Sequence, residues 1–220
     1  MTSLSFKHVV ILTAGMFPFS YILQEGVRLN IKTGCSLRHF LIKNCGISNH
    51  YIDDRIKTAF INQKPVDNYD TAIIHDQDSL ALSGAMPGLI GAAFRKNSMF
   101  SPFRSTISYD MDMSDNGSKP PVRIYGTVTI KLFNLLIKEI GPGLLKKGVF
   151  IHADALLNII KEERSKMNGL FQSIIINGQK QNGKEIKSLW RRPLENEWVW
   201  LVVQLQYPLD RHNGHMGSNG

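Results

Sequence analysis

"DQDSLALSGAMPGLIGA" (residues 76–92) decides how the rest of the chain is read. An acidic turn leads into an apolar alternation at Leu80 and Leu82, the pattern of a strand with one buried face. A small Met-Pro-Gly segment closes it. That is how a small α+β domain ends, yet the chain runs on to residue 220. A second copy of the same order of elements accounts for the remainder.

The elements before this stretch are a branched strand, "FKHVVIL" (6–12), a connection closing in "ILQEGV", and a strand "VRLNIK" (27–32). In "GCSLRHFLIKNCG" (34–46), Leu37, Phe40 and Leu41 stand at i, i+3, i+4, which predicts a helix, with Gly46 just past its end. The strand "KTAFIN", a loop over 63–78 and the strand "SLALS" (79–83) follow. After residue 121 the order returns. It runs through the strand "VTIKLF" (128–133), a short helix, the junction "LLKKGV" and the strand "VFIH". A helix over 154–168 comes next, with Leu156, Ile159 and Ile160 on one face, then "QSIIIN" and "EWVWLVVQL".

Spacing ties the halves together. "ILQEGV" begins at residue 22 and "LLKKGV" at residue 144; "AFINQK" begins at 59 and "IIINGQ" at 174. The offset shortens from 122 to 115 between helix and third strand, where length changes are tolerated. The polar, Gly/Ser/Pro-rich segment 108–121 reads as a linker. The predicted organisation is therefore a first domain over 1–107, the linker 108–121, a second domain over 122–209 and a disordered tail over 210–220.

Charge is uneven. Residues 1–116 hold 11 Lys/Arg against 10 Asp/Glu, whereas residues 117–220 hold 15 against 8. A basic second half admits an anionic partner, although its lysines are scattered, so nucleic-acid binding is expected to be weak at most. Cys35 and Cys45 stand at opposite ends of one predicted helix, about 15 Å apart and too far for a disulfide. Two cysteines make no zinc pattern. Reduced thiols suit a cytoplasmic protein. "KHVVILTAGMFPFSYIL" (7–23) has the charge and apolar run of an export signal but no cleavage motif, and Pro18 interrupts it. The repeat assigns it to a core strand instead, and no membrane association is expected.

The order strand, strand, helix, strand, strand resembles the β-grasp, or ubiquitin-like, fold. "VTIKLFNLLIKEIG" (128–141) is similar to the opening of the small subunit of molybdopterin synthase, and "FINQKPVDNYDTAIIHDQDSLALSGAMPG" (60–88) to the closing half of that family and of the thiamine-pathway sulfur carriers. Gln63 and Gln77 stand where the family usually has Gly. The resemblance implies an α+β chain of two tandem ubiquitin-like β-grasp domains. It also implies a protein partner, an activating or cofactor-biosynthesis enzyme. The family's chemistry needs a free C-terminal Gly-Gly carboxylate. Here Gly88 is internal, and Asn219 precedes Gly220. The expected function is therefore a non-enzymatic binding or scaffold protein related to sulfur carriers, needing no cofactor. One alternative is a true sulfur carrier activated at Gly220 or after cleavage near Gly88; another is an RNA-binding β-grasp protein.

No phosphate-binding loop, nucleophile elbow or metal-binding pair is present in the sequence. His212 and His215 lack a third ligand nearby. Asp53-Asp54 and Asp76/Asp78 sit at turns, where Asp bonds the local backbone. Strand alternation puts Trp198 and Trp200 on one face of "EWVWLVVQL", away from the aliphatic set, which marks an interface, either with the first domain or with a partner protein. The connector "GLIGAAFRKNSMFSPF" interleaves Phe94, Met99, Phe100 and Phe103 with Arg95, Lys96 and Arg104 and reads as a docking arm. The expected partner-binding residues are Trp198, Trp200, Met86, Gly88, Phe100 and Phe103, with no catalytic and no metal residues.

Overall fold

The computed structural model describes residues 7–85, 88–96, 98–100, 102, 108–109, 125–165, 169–181 and 197–206. The first half contributes strands β1 (Lys7–Thr13), β2 (Val27–Lys32), β3 (Cys35–Ser36), β4 (Thr58–Ile61), β5 (Lys64–Pro65), β6 (Ile73–Ile74) and β7 (Ser79–Ser83). Its helices are α1 (Ser20–Glu25), α2 (Leu37–Phe40), α3 (Asn49–Asp54) and α4 (Gly88–Phe94). The second half contributes β8 (Tyr125–Phe133), β9 (Val149–His152), β10 (Phe171–Ile176), β11 (Gln179–Gln181) and β12 (Trp198–Leu205). Its helices are α5 (Leu136–Glu139), α6 (Gly141–Lys147) and α7 (Ala153–Ser165). The chain is α+β, as its sequence implies.

Ten strands join one mixed sheet in the order β11-β10-β1-β12-β9-β2-β8-β7-β4-β5. The tandem expectation, in which each half builds its own sheet, differs from this arrangement. β1 leaves its own half to lie between β10 and β12, pairing parallel with β12. β8 lies between β2 and β7, pairing parallel with β7. The first strand of each half thus lies in the other half's part of the sheet. Both present the same alternating apolar face, so either sheet can bury either strand. Joining the lobes through β2 and β9 also removes two of the four edges that separate sheets would expose.

Two pairs of positions in the two halves share backbone geometry. Gly26 ends α1 and Gly148 ends α6, each donating its N–H to the carbonyl four residues back, at 2.9 and 3.1 Å. Their dihedrals match, φ 121° and ψ 135° against φ 100° and ψ 141°. Only glycine adopts this region without strain. Asn62–Gln63 and Asn177–Gly178 turn β4 into β5 and β10 into β11 with positive φ at both residues, the two-residue hairpin geometry.

Inward positions of the strands form the core: Val9 and Ile11 of β1, Leu80 and Leu82 of β7, Val128, Ile130 and Leu132 of β8, and Val199 and Leu201 of β12 are fully buried. The helices supply the other side of the same cluster through Ile22, Leu37, Leu41, Leu144, Leu145 and Leu156. The apolar run that resembled an export signal is thus core strand β1 and the turn into α1. The two halves are also bolted through helices: Glu139 of α5 accepts from Tyr51 and Arg55, at and just past α3, and Lys147 reaches the Asn44 carbonyl at 3.2 Å. No described helix is long and apolar enough to cross a membrane. Most of the expected linker and the whole tail lie outside the described residues, but Ser108 and Tyr109 are docked: Tyr109 donates its N–H to Pro65 O at 2.8 Å and its hydroxyl to Ile73 O at 2.9 Å.

Candidate binding surface

Cross-strand partners share a face, so the pairing registers define the outward side of the sheet. One row runs His8, Trp200, Phe150, Arg28, Thr129, Ser79 across six strands. Neighbouring rows carry Trp198 and His152, Asn30 and Thr127, Lys32 and Tyr125, and Lys131 with Ala81 and Phe60. Toward the far edge, Val202 and Val10 meet Ile175 and Lys180. The outward positions of the ten described strands include Arg28, Lys32, Lys131, Lys180, His8 and His152, and not one Asp or Glu.

The carboxylates lie elsewhere. Arg38 holds Asp53 through two bonds, 3.0 and 3.2 Å, and Asp70 at 2.7 Å. That bonding to Arg38 keeps the Asp53 carboxyl below the usual range. Asp54 pairs with His50 at 3.1 Å. Glu139 sits between Arg55 and Tyr51, and both bonds depress its pKa. Asp76 accepts from Thr127 N–H at 2.7 Å, and Asp78 from Asn62 and the His75 N–H, both at 2.7 Å. Asp53 and Asp54 thus lie in α3 rather than in a turn and form ion pairs, while of these bonds to Asp76 and Asp78 only that from the His75 N–H is local. Among the described residues no group of three or more His, Cys, Asp or Glu side chains could hold a metal ion. Cys35 and Cys45 are buried, and burial pushes the Cys45 thiol up to about 12.

The tryptophans occupy the middle of the outward face, half-buried by their neighbours. The Arg28 guanidinium lies 4.0 Å from the Trp198 ring centroid, and His152 stacks on the same indole at 3.8 Å. Trp200 meets Phe150 edge-on at 4.7 Å. Arg28 comes from the first half, so Trp198 packs across the junction of the two halves. The connector behaves as an arm along the first lobe: Phe94 packs on Phe60 at 5.6 Å, and Lys96 lies 4.4 Å from the Tyr69 ring centroid and 3.4 Å from Asp53. Phe100 is half-buried and Met99 exposed. Gly88 is exposed at the start of α4, φ 78°. Met86, Phe103 and Gly220 lie outside the described residues, as do Arg104, His212 and His215.

Beside Lys131 a groove of about 650 Å³ opens on the first lobe. Phe60, Ala81 and Phe133 give it apolar walls, and Asn62, Gln63, Ser79, Ser83 and Asn134 give it polar ones. Sequence reading passed over Arg28, Lys32 and Lys131. The period-2 spacing of Arg28, Asn30 and Lys32 in "VRLNIK" was the available signal. Comparison with known proteins finds no matching family model, no matching curated protein and no matching solved structure.

Proposed function

We propose that the chain is a non-catalytic binding protein, made of two β-grasp-type units with exchanged first strands, whose working surface is the outward face of the sheet. One observation carries this reading: the core-forming helices pack on the inward side, and the ten outward strand surfaces bear cations and aromatics without a carboxylate. Burial of one sheet face and display of the other is the ordinary condition of an open mixed sheet, but a face so depleted of one charge sign is matched to a partner. The β-grasp reading rests on the matched Gly26 and Gly148 junctions and the matched turns after β4 and β10. Kinship with sulfur carriers rests on the signatures at 60–88 and 128–141. That kinship suggests a context of sulfur transfer or pterin-type cofactor assembly. Gly88 bears a peptide bond in mid-chain, so no carboxylate is available there for adenylation.

Photo-crosslinking in the native host tests the working surface. A photoreactive residue at Asn30 or Gln204, both exposed and outward, is expected to capture a partner; the same residue at Lys161, exposed on α7, is not. Equal capture at all three positions, or none at Asn30 and Gln204, refutes the reading.

A further inference from the structure

The ligand class of this face can be taken further, on the reading that the outward face is the working surface. We propose that it binds single-stranded nucleic acid, the phosphates following the line Lys32–Arg28–Lys131 and the bases resting on Tyr125, on Phe133 and in the groove beside Lys131.

Lys32 and Arg28 share β2 four residues apart, about 13 Å. Arg28 faces Thr129 of β8, and Lys131 is two residues further along that strand. The three cations therefore form a gently slanting line of about 20 Å along the strand direction. None of them is ion-paired to a described carboxylate. Each has an aromatic ring beside it. Lys32 Nζ is 5.3 Å from the Tyr125 centroid, Arg28 covers Trp198, and Lys131 shares its face with Phe133. Tyr125 is 80% exposed and Phe133 37%, so their ring faces are available for stacking. Trp198, already covered by Arg28 and His152, instead positions Arg28.

A positively charged track with interleaved aromatic platforms is how single strands are held without sequence readout. An acidic protein would answer the cations but not the alternation of cation and exposed ring. A duplex would need a helix or ribbon that enters a groove, and the sheet face offers none. The groove beside Lys131 adds polar edges: Gln63, exposed in its left-handed turn, stands at the rim, and Asn134 is fixed by its bond to Ser83 Oγ at 2.9 Å. It has the volume and the mixed lining to take a base.

Fluorescence anisotropy with labelled dT15 and rU15 tests this on the full chain. Binding of both is expected at low salt. Its logarithmic salt slope should be about −2, the value for three neutralised phosphates on a single strand. Lys32→Glu and Lys131→Glu should each weaken binding about tenfold or more and flatten the slope. Tyr125→Ser, at an exposed site, should weaken it about tenfold through lost stacking, with the slope unchanged. Lys161→Glu is the charge control and should retain most of the affinity. A preference for rU15 over dT15 identifies RNA as the natural class, and the reverse identifies DNA. No binding of either probe at low salt overturns the proposal. So does equal weakening by Lys161→Glu, or a silent Tyr125→Ser. Protein adducts at Asn30 with no oligonucleotide binding would overturn this inference while leaving the working surface intact.

Discussion

Exchange of β1 and β8 makes a prediction about which core residues feel one another. Ile11 of β1 is fully buried and faces Ile174 of β10. Leu80 of β7, equally buried, faces Ile130 of β8. In an unexchanged tandem, Ile11 would lie beside Leu80. In the exchanged sheet five strand spacings separate β1 from β7, about 24 Å. Truncating a buried Ile or Leu to Ala costs roughly 2–5 kcal/mol. Residues in contact show coupling of about 0.5–3 kcal/mol in a double-mutant cycle, whereas residues this far apart add to within about 0.5 kcal/mol. The cycle Ile11→Ala with Ile174→Ala should therefore show coupling, and Ile11→Ala with Leu80→Ala should be additive. Urea unfolding followed by fluorescence and circular dichroism gives the four free energies of each cycle. Should truncation of Ile11 leave too little stability, Ile11→Val, costing about 0.5–1.5 kcal/mol, serves in its place. Coupling of Ile11 to Leu80 with additivity toward Ile174 would refute the exchange.

Two further outcomes follow from local geometry. A Cβ on Gly148 would stand 2.2 Å from Trp200 Cζ2, at a φ of 100°, whereas a Cβ on Gly143 meets nothing within 4 Å. Gly148→Ala should therefore cost about 2–5 kcal/mol from strain and displaced indole, and Gly143→Ala should be neutral or stabilising by up to about 1 kcal/mol; comparable urea midpoints for the two would contradict this. Glu139, bonded by Arg55 and Tyr51, has a folded-state pKa below its ordinary 4.5. Its stabilising effect is present above that ordinary value and disappears as pH falls through the depressed one. Thermal melts of Glu139→Gln should lie below the parent at neutral pH and converge with it in acid; a gap that widens on acidification would contradict the sign.

The local elements were legible and the pairing was not. "VRLNIK", "SLALS" and "VFIH" coincide with β2, β7 and β9, because their alternation and flanking glycines are local signals. Gly46 takes the left-handed conformation, φ 76°, that its place after a helix implies. The stretch between β8 and β9, read as one short helix and a junction, forms two helices, α5 and α6; Pro142 occupies the first turn of α6, where its missing N–H has no intrahelical partner to lose. Partner choice was beyond local signals. β1 and β8 are both runs of branched residues with one apolar face, and which neighbour each joins depends on contacts more than a hundred residues away in sequence. The tryptophan face was legible from alternation alone. The cation line was not, because Arg28 and Lys131 belong to different halves and become neighbours only through the exchange.

That neighbourhood explains where the positive charge goes. The chain carries 26 Lys/Arg against 18 Asp/Glu. Among the described residues, Arg38, Arg55 and Lys96 answer Asp53, Asp70 and Glu139, and Lys7 of β1 answers Glu197. Such exposed pairs add little to stability; Arg28, Lys32 and Lys131 on the sheet face form no ion pair with a described carboxylate. Without the exchange, β2 would lie against β1, whose outward positions are His8, Val10 and Leu12, and Lys131 would not stand beside Arg28 and Lys32. With it, β2 lies against β8, and Arg28, Lys32 and Lys131 reinforce one another's field over one continuous surface. Like charges set this close oppose folding slightly, and the sheet keeps them without a compensating carboxylate. A polyanion laid along that line would relieve the repulsion. The exchange sets Lys131 beside Arg28, and the β2–β9 junction continues their face onto the second half of the sheet.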